Sequence, residues 1–179
     1  MKTQQAWLFL AMPILLLAAT LPVVTDLHAA QAGRAAQTGR QTVPEFKLPN
    51  VAGGYMTSED LKGKVTVVDL WATWCGHCAE EVSIYNQLYD TFEGQDVAIV
   101  GIAVQSPHRD IPSKVRQLGI KYAILIGDDE ALHAFGLAQG YPTTVVLNKE
   151  GEIYRHYTGA VSEERIKEDI QHLLAEGSR

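Results

Sequence analysis

Apolar residues are distributed along this chain in three regimes. From Ala6 to Val24 nearly every position is apolar, broken only by Pro13, Thr20 and Pro22, with Lys2 and the free amine ahead of the run. About 20 such residues are what a bilayer-spanning helix requires, and positive charge before an apolar core marks an export signal. Residues 1–25 are therefore expected to be a signal peptide or a signal anchor, with the anchor preferred. Ala30-Gln31-Ala32 is a small-residue candidate for cleavage, and the lack of a cysteine directly after the run argues against lipid modification. From Asp26 to Thr42 the composition turns to Ala, Gln, Gly, Thr and Arg without periodicity, which predicts a flexible linker over 26–42.

Residues 43–177 carry the periodicities of a folded domain. Val43–Leu48 and Gly54–Met56 predict a short hairpin around Gly53-Gly54, and Ser58–Leu61 a capped helical turn ending at Gly63. The β-favouring run Val65–Trp71 predicts a central strand covered on both faces, and Val97–Val104 a second. Between them a helix is expected from Gly76 to Phe92, stopped by Gly94. Asp110–Leu118 reads as a helix ended by Gly119, Tyr122–Ile126 as a strand, and Asp128–Phe135 as a capped helix ending at Gly136. Thr143–Leu147 and Glu152–Tyr157 form strands joined by the turn Asn148–Gly151. A last helix follows the N-cap Ser162, with Ile166, Ile170, Leu173 and Leu174 on one face. Strands alternating with helices, then a hairpin and a closing helix, predict an α/β fold with a mixed sheet flanked by helices.

Composition narrows the function. Over 179 residues, 46% are apolar and 20% charged, as in a globular protein, and the net charge is −6. That balance, without a basic run, argues against nucleic acid as a partner.

The chemistry is concentrated in Trp74-Cys75-Gly76-His77-Cys78, which holds the chain's two cysteines. A disulfide stabilises mainly by closing a long loop, so a bond between residues three apart would contribute little as a staple. Its use is to open and close. Cys75 falls at a helix N-terminus, where unpaired amides and the helix dipole favour a thiolate. Cys78, one turn further in, is suited to resolving the mixed disulfide that Cys75 makes. A metal site would need further ligands, and the histidines show no ligand spacing. Asp69 is a carboxyl group in mid-strand, six residues before Cys75; burial should raise its pKa and fit it to move the Cys78 proton. Glu81 shares a helix face with Tyr85, Leu88 and Phe92, whereas Glu80 lines up with Ile84, Gln87 and Thr91. Glu81 is therefore the acid expected to point inward.

The segment Val67–Cys78, followed by Gly140-Tyr141-Pro142-Thr143, resembles the thioredoxin fold. The hairpin, the insertion from Asp110 to Gly127 and the exported anchor are similar to the TlpA-like (redoxin) branch of extracytoplasmic thiol-disulfide oxidoreductases, which includes cytochrome c maturation reductases. The resemblance implies a thioredoxin-like domain in which the Cys75–Cys78 disulfide is the only redox centre and no separate cofactor is used. It implies a cis bond before Pro142 and substrate contacts from Trp74, Tyr141 and Pro142. Asp69 matches the buried aspartate of thioredoxins, which supports a proton role, whereas TlpA-like proteins more often have asparagine there. A functional glutamate occurs at the offset of Glu81 in several such reductases, although there a large apolar residue and a proline follow where this chain has Val82-Ser83. Partners implied are exported proteins with thiols or disulfides and a membrane thiol reductase as electron donor; a monomer is expected.

His77, with Gly76, sets this motif apart from the family's commoner proline at that place. A cation beside Cys75 stabilises its thiolate and makes the disulfide more oxidising. The same Cys-Gly-His-Cys occurs in protein disulfide isomerases, which keeps a net oxidase or isomerase as the alternative. A copper-handling module with a thioredoxin fold is the non-enzyme alternative. A peroxiredoxin-type peroxidase fits poorly, since Thr73 precedes Cys75 by two positions rather than three and the proline that opens such active-site loops is absent. His108, His133, His156 and His172 are read as surface or packing residues.

Overall fold

The computed structural model describes residues 41–135 and 140–176. The expected signal segment, the cleavage candidate, nearly all of the linker and the helix stop at Gly136 lie outside the described residues. Among the described residues no helix is long and apolar enough to cross a membrane.

The strand β3 (Val65–Trp71) is buried along its whole length and lies at the centre of a five-stranded sheet. Its neighbours give the order β5-β4-β3-β6-β7, where β4 is Val97–Ala103, β5 Ala123–Ile126, β6 Thr143–Leu147 and β7 Ile153–Thr158. β3, β4 and β5 run parallel to one another, while β6 is antiparallel to both β3 and β7. Successive side chains of a strand point to opposite faces. Val65, Val67 and Trp71 accordingly enter one core, and Val68 and Leu70 the other.

Helices cover the first face. α1 (Gly76–Thr91) presents Cys78, Tyr85 and Leu88 to it, α2 (Ile111–Leu118) presents Ile111, and α4 (Glu163–Glu176) presents Ile166, Ile170 and Leu173. The second face is closed by Ala131 of α3 (Asp129–Ala134), by Phe135 just after it, and by Leu48 and Leu61. By alternation Asp69 belongs to the first face, under α1. This is the mixed, helix-flanked sheet that the sequence predicts.

Several boundaries differ from expectation. The hairpin is β1 (Lys47–Pro49) against β2 (Tyr55–Thr57), with Leu48 opposite Met56, so its first strand starts four residues after Val43. Pro44 has no N–H to give a ladder. Val43 instead donates its N–H to the Gly151 carbonyl (3.1 Å), beside a bridge between Thr42 and Glu152. The helical turn Ser58–Leu61 is 3₁₀, closed by Thr57, whose N–H and hydroxyl both donate to Asp60 (2.7 and 2.8 Å). α2 starts at Ile111 because Pro112 is suited to a first helical turn, and Gly119 ends it with φ of 65°. β5 starts at Ala123 rather than Tyr122, and β7 runs one residue beyond Tyr157.

Candidate active site

The chain leaves β3 at Trp71 and turns within four residues into α1. The Cys75 N–H donates to the Ala72 carbonyl (3.0 Å), and Cys75 keeps an extended conformation (φ −82°, ψ 108°) as the N-cap residue. Its Sγ does what a capping oxygen usually does, accepting the Cys78 N–H at 3.1 Å. Cys75 and Cys78 are joined in a disulfide with their Cα atoms 5.4 Å apart. Cys75 is 9% exposed and Cys78 2%, so the outer sulfur belongs to the residue at the helix tip. A thiolate there would face the positive end of the helix dipole.

Around this tip lies a rim. Trp74 is 62% exposed, and its indole N–H donates to the Gln105 carbonyl (2.9 Å). Its ring stands edge-on to Tyr141, with centroids 5.5 Å apart. The Tyr141-Pro142 bond is cis, and the Pro142 carbonyl accepts the Gly159 N–H at 2.9 Å. Thr73 is moored as well: its N–H donates to Ser106 Oγ (2.9 Å), which donates in turn to the Val104 carbonyl (3.0 Å). Gln105, between these two ties, holds a φ of 47°, the left-handed region that side chains other than glycine rarely adopt. His77 is exposed, with Nδ1 3.2 Å from Glu80 Oε2. A Cβ added at Gly76 would meet nothing within 4 Å, so space does not demand glycine there.

On the sheet side of α1 is a sealed floor. Asp69 is 2% exposed; its Oδ2 accepts the Tyr122 hydroxyl at 3.1 Å, and its Oδ1 has no partner among the described residues. Burial pushes this carboxyl group up to about 8, with the charge of Glu81 adding to the rise and the Tyr122 hydrogen bond opposing it. Glu81 is buried where Glu80 is exposed, as the helical periodicity predicts. Its Oε1 accepts the Val161 N–H at 3.1 Å and its Oε2 is unpartnered. Burial raises the Glu81 carboxyl group too, against the Val161 bond and the nearby His77. The Tyr85 and Tyr122 rings meet edge to face, 5.9 Å apart, and burial holds both phenols well above their ordinary range. Tyr85 shares a 2.7 Å hydrogen bond with Thr144 Oγ1.

Cys78 enters the same face of the sheet as Asp69, and a buried acid raised to about 8 on that face can couple sulfur exchange to proton transfer. Sequence reasoning proposed Asp69 and Glu81 but missed Tyr122, Tyr85 and Thr144. One local signal was present: Gly101 interrupts a buried strand, which often marks a close approach. His108, His133, His156 and His172 are exposed, and the described residues contain no group of three or more His, Cys, Asp or Glu side chains placed to hold a metal ion.

Comparison with known proteins adds a family. The model of the AhpC/TSA family matches residues 40–156, more than half of the chain. The thiol-disulfide oxidoreductase ResA of Geobacillus thermodenitrificans is 29% identical over 174 residues, covering 97% of this chain and 99% of that protein. ResA of Bacillus subtilis is 28% identical over 171 residues, covering 95% and 94%. Among solved structures, a thiol:disulfide interchange protein of the thioredoxin family from Chlorobium tepidum TLS superposes with a TM-score of 0.70 at 27% identity, over 78% of this chain and 99% of that one. The chain thus belongs to the AhpC/TSA family and is a redox enzyme of its thioredoxin-fold, redoxin kind.

Proposed function

We propose that the protein is a thiol-disulfide oxidoreductase working outside the cytoplasm, held at the membrane by its N-terminal apolar run, as a reductant of disulfides in exported proteins such as those of cytochrome c maturation. The observation that carries this reading is the Cys75–Cys78 disulfide at the tip of α1, with Cys75 Sγ as the cap of its own helix. The ResA relatives, similar along nearly the whole chain, support it.

In the working direction the reduced enzyme attacks first. Cys75 thiolate bonds to one sulfur of a substrate disulfide and expels the other as a thiolate, which takes a proton from solvent. Cys78 then gives its proton to Asp69, in the fraction of molecules whose buried carboxyl group is ionised, and attacks Cys75 Sγ. The mixed disulfide breaks, the second substrate sulfur leaves as a thiolate, and the Cys75–Cys78 bond closes. Two electrons have passed to the substrate, and a membrane thiol reductase restores the dithiol. Trp74, Tyr141 and Pro142 form the surface that receives the substrate segment. Asp69 handles the Cys78 proton, and Glu81, through its charge, sets how tightly Asp69 holds it. Cys75→Ser should abolish reduction of insulin disulfides; retained turnover would overturn the reading.

One observation favours a second reading. His77 is exposed one residue from Gly76, beside Cys75 in the chain and paired with Glu80, and a cation there would favour the reduced pair. That would make the protein a net oxidase or isomerase. A redox titration decides, with about −270 mV expected of a reductant and about −120 mV of a strong oxidant.

A further inference from the structure

Tyr122 lies outside every motif that the sequence offers, 53 residues from Asp69, yet it makes the one hydrogen bond that the Asp69 carboxyl group receives among the described residues. We propose that Tyr122 is a positioning residue for the exchange reaction: its hydroxyl fixes Asp69 Oδ2, so that Oδ1 is the oxygen left to take and return the Cys78 proton. This rests on the proton role given to Asp69 above.

The fold is built to bring the phenol there. The loop ahead of Tyr122 is clamped to α1 at three points. Asn86 Nδ2 donates to the Gly119 carbonyl (2.9 Å), Asn86 Oδ1 accepts the Lys121 N–H (2.9 Å), and Lys121 Nζ meets Asp90 Oδ2 (2.6 Å). On the strand side, Gly101 is the register partner of Asp69. A Cβ at Gly101 would lie 3.1 Å from Tyr122 Cε2 and 3.2 Å from Trp71 Nε1, and would collide with Ile124 Cδ1. Glycine at that place leaves room for Ile124 and for the close approach of the Tyr122 ring beside Asp69. Tyr85, wedged against Tyr122, spends its own hydroxyl on Thr144.

The groups facing Asp69 give the sign. Glu81 and Tyr85 come from α1, Tyr122 from the segment before β5, Thr144 from its register place on β6, and Trp71 from two residues along β3. A donor to the carboxylate favours the charged form, so removing the Tyr122 hydroxyl makes Asp69 hold its proton more tightly. Tyr122→Phe should raise the Asp69 titration midpoint by about one pH unit, read from the Asp69 carboxyl carbon resonance of the oxidised protein. The acid limb of the single-turnover rate for closing the Cys75–Cys78 bond should move with it, roughly tenfold slower at pH 7. Tyr85→Phe, the same chemical change on the neighbouring ring, should leave that midpoint in place.

Superimposable Asp69 titrations in wild type and Tyr122→Phe would overturn the proposal, even if the variant melts earlier. Should Tyr122→Phe fail to fold, the wild-type protein still answers. Above the Asp69 midpoint, where the carboxylate carries no proton of its own, replacing solvent by D2O should shift the Asp69 carboxyl carbon signal through the phenol proton, and no such isotope effect would also sink the idea. Loss of turnover in Cys75→Ser with an unmoved Tyr122→Phe titration would leave the oxidoreductase reading standing and remove Tyr122 alone.

Discussion

At the rim of the site Trp74, His77 and Glu80 stand in solvent, while on the sheet side of the same helix Asp69, Glu81, Tyr85 and Tyr122 are sealed from it. Both sets flank one disulfide, and both contain carboxylates, so the contrast isolates the effect of burial. Glu80 and Glu81 are neighbours in sequence; Glu80 is exposed, whereas Glu81 is buried and desolvation raises its carboxyl group. Charge at the rim is screened by water and salt. Charge on the floor is screened far less, and the raised carboxyl groups of Asp69 and Glu81 there couple folding to pH. In the reading proposed above, shape at the rim selects the partner and the floor sets when sulfur chemistry proceeds.

Substituting Asp69 gives the largest test of this contrast. Its folded-state midpoint near 8 lies above the unfolded value, so the stability it contributes is present at low pH and is lost as pH rises from about 4 to about 8. Asp69→Asn should remove that slope, a difference on the order of 3–5 kcal/mol between the ends of the window. Denaturant midpoints of the oxidised protein from pH 4 to pH 9 measure it, and parallel curves for the two proteins would refute a sealed floor.

Next in size is Glu81. Glu81→Ala leaves the Val161 N–H without its acceptor and should cost about 1–3 kcal/mol, while Glu81→Gln keeps an oxygen there and should cost under about 1 kcal/mol. Equal losses from the two would mean that the carboxylate charge, not the hydrogen bond, holds that corner. On the rim, Trp74→Ala should raise KM for a protein disulfide by about tenfold, roughly 1.4 kcal/mol, with little change in melting temperature. A fall in kcat alone would place the indole in the chemistry and out of docking. Smallest of all, His77→Pro should make the disulfide more reducing by about 20 mV, since proline is tolerated in a first helical turn and the imidazole near Cys75 is gone. A shift beyond 100 mV would place the control of potential at the rim.

What was legible beforehand follows from the range over which each feature is encoded. β3, the turn and α1 are continuous in sequence, so the apolar run, the capping position and the helical period were enough to place Cys75, Cys78 and the inward acid. The floor's hydrogen bonds join segments far apart: Tyr122 reaches Asp69 across 53 residues, and Tyr85 reaches Thr144 across 59. No local pattern carries such pairings. Tyr122 read as the first residue of a strand, and only the juxtaposition of β3, β4 and the segment before β5 brings its hydroxyl to Asp69. The hairpin strands were misplaced for a similar reason. A three-residue ladder holds too few side chains to show a period, and Val43 pairs instead with the distant turn at Gly151.

The ties from Thr73 to Ser106 and from Trp74 to Gln105 bear on how the site survives repeated turnover. Both anchor points sit on the loop leaving β4, and neither involves a sulfur atom. Neither tie depends on the Cys75–Cys78 bond, so the mooring of Thr73 and Trp74 is expected to persist when that bond opens. If the rim receives the substrate as proposed, a partner would meet the same outline in either redox state, and release would rest on the sulfur bond and not on a change of shape around it.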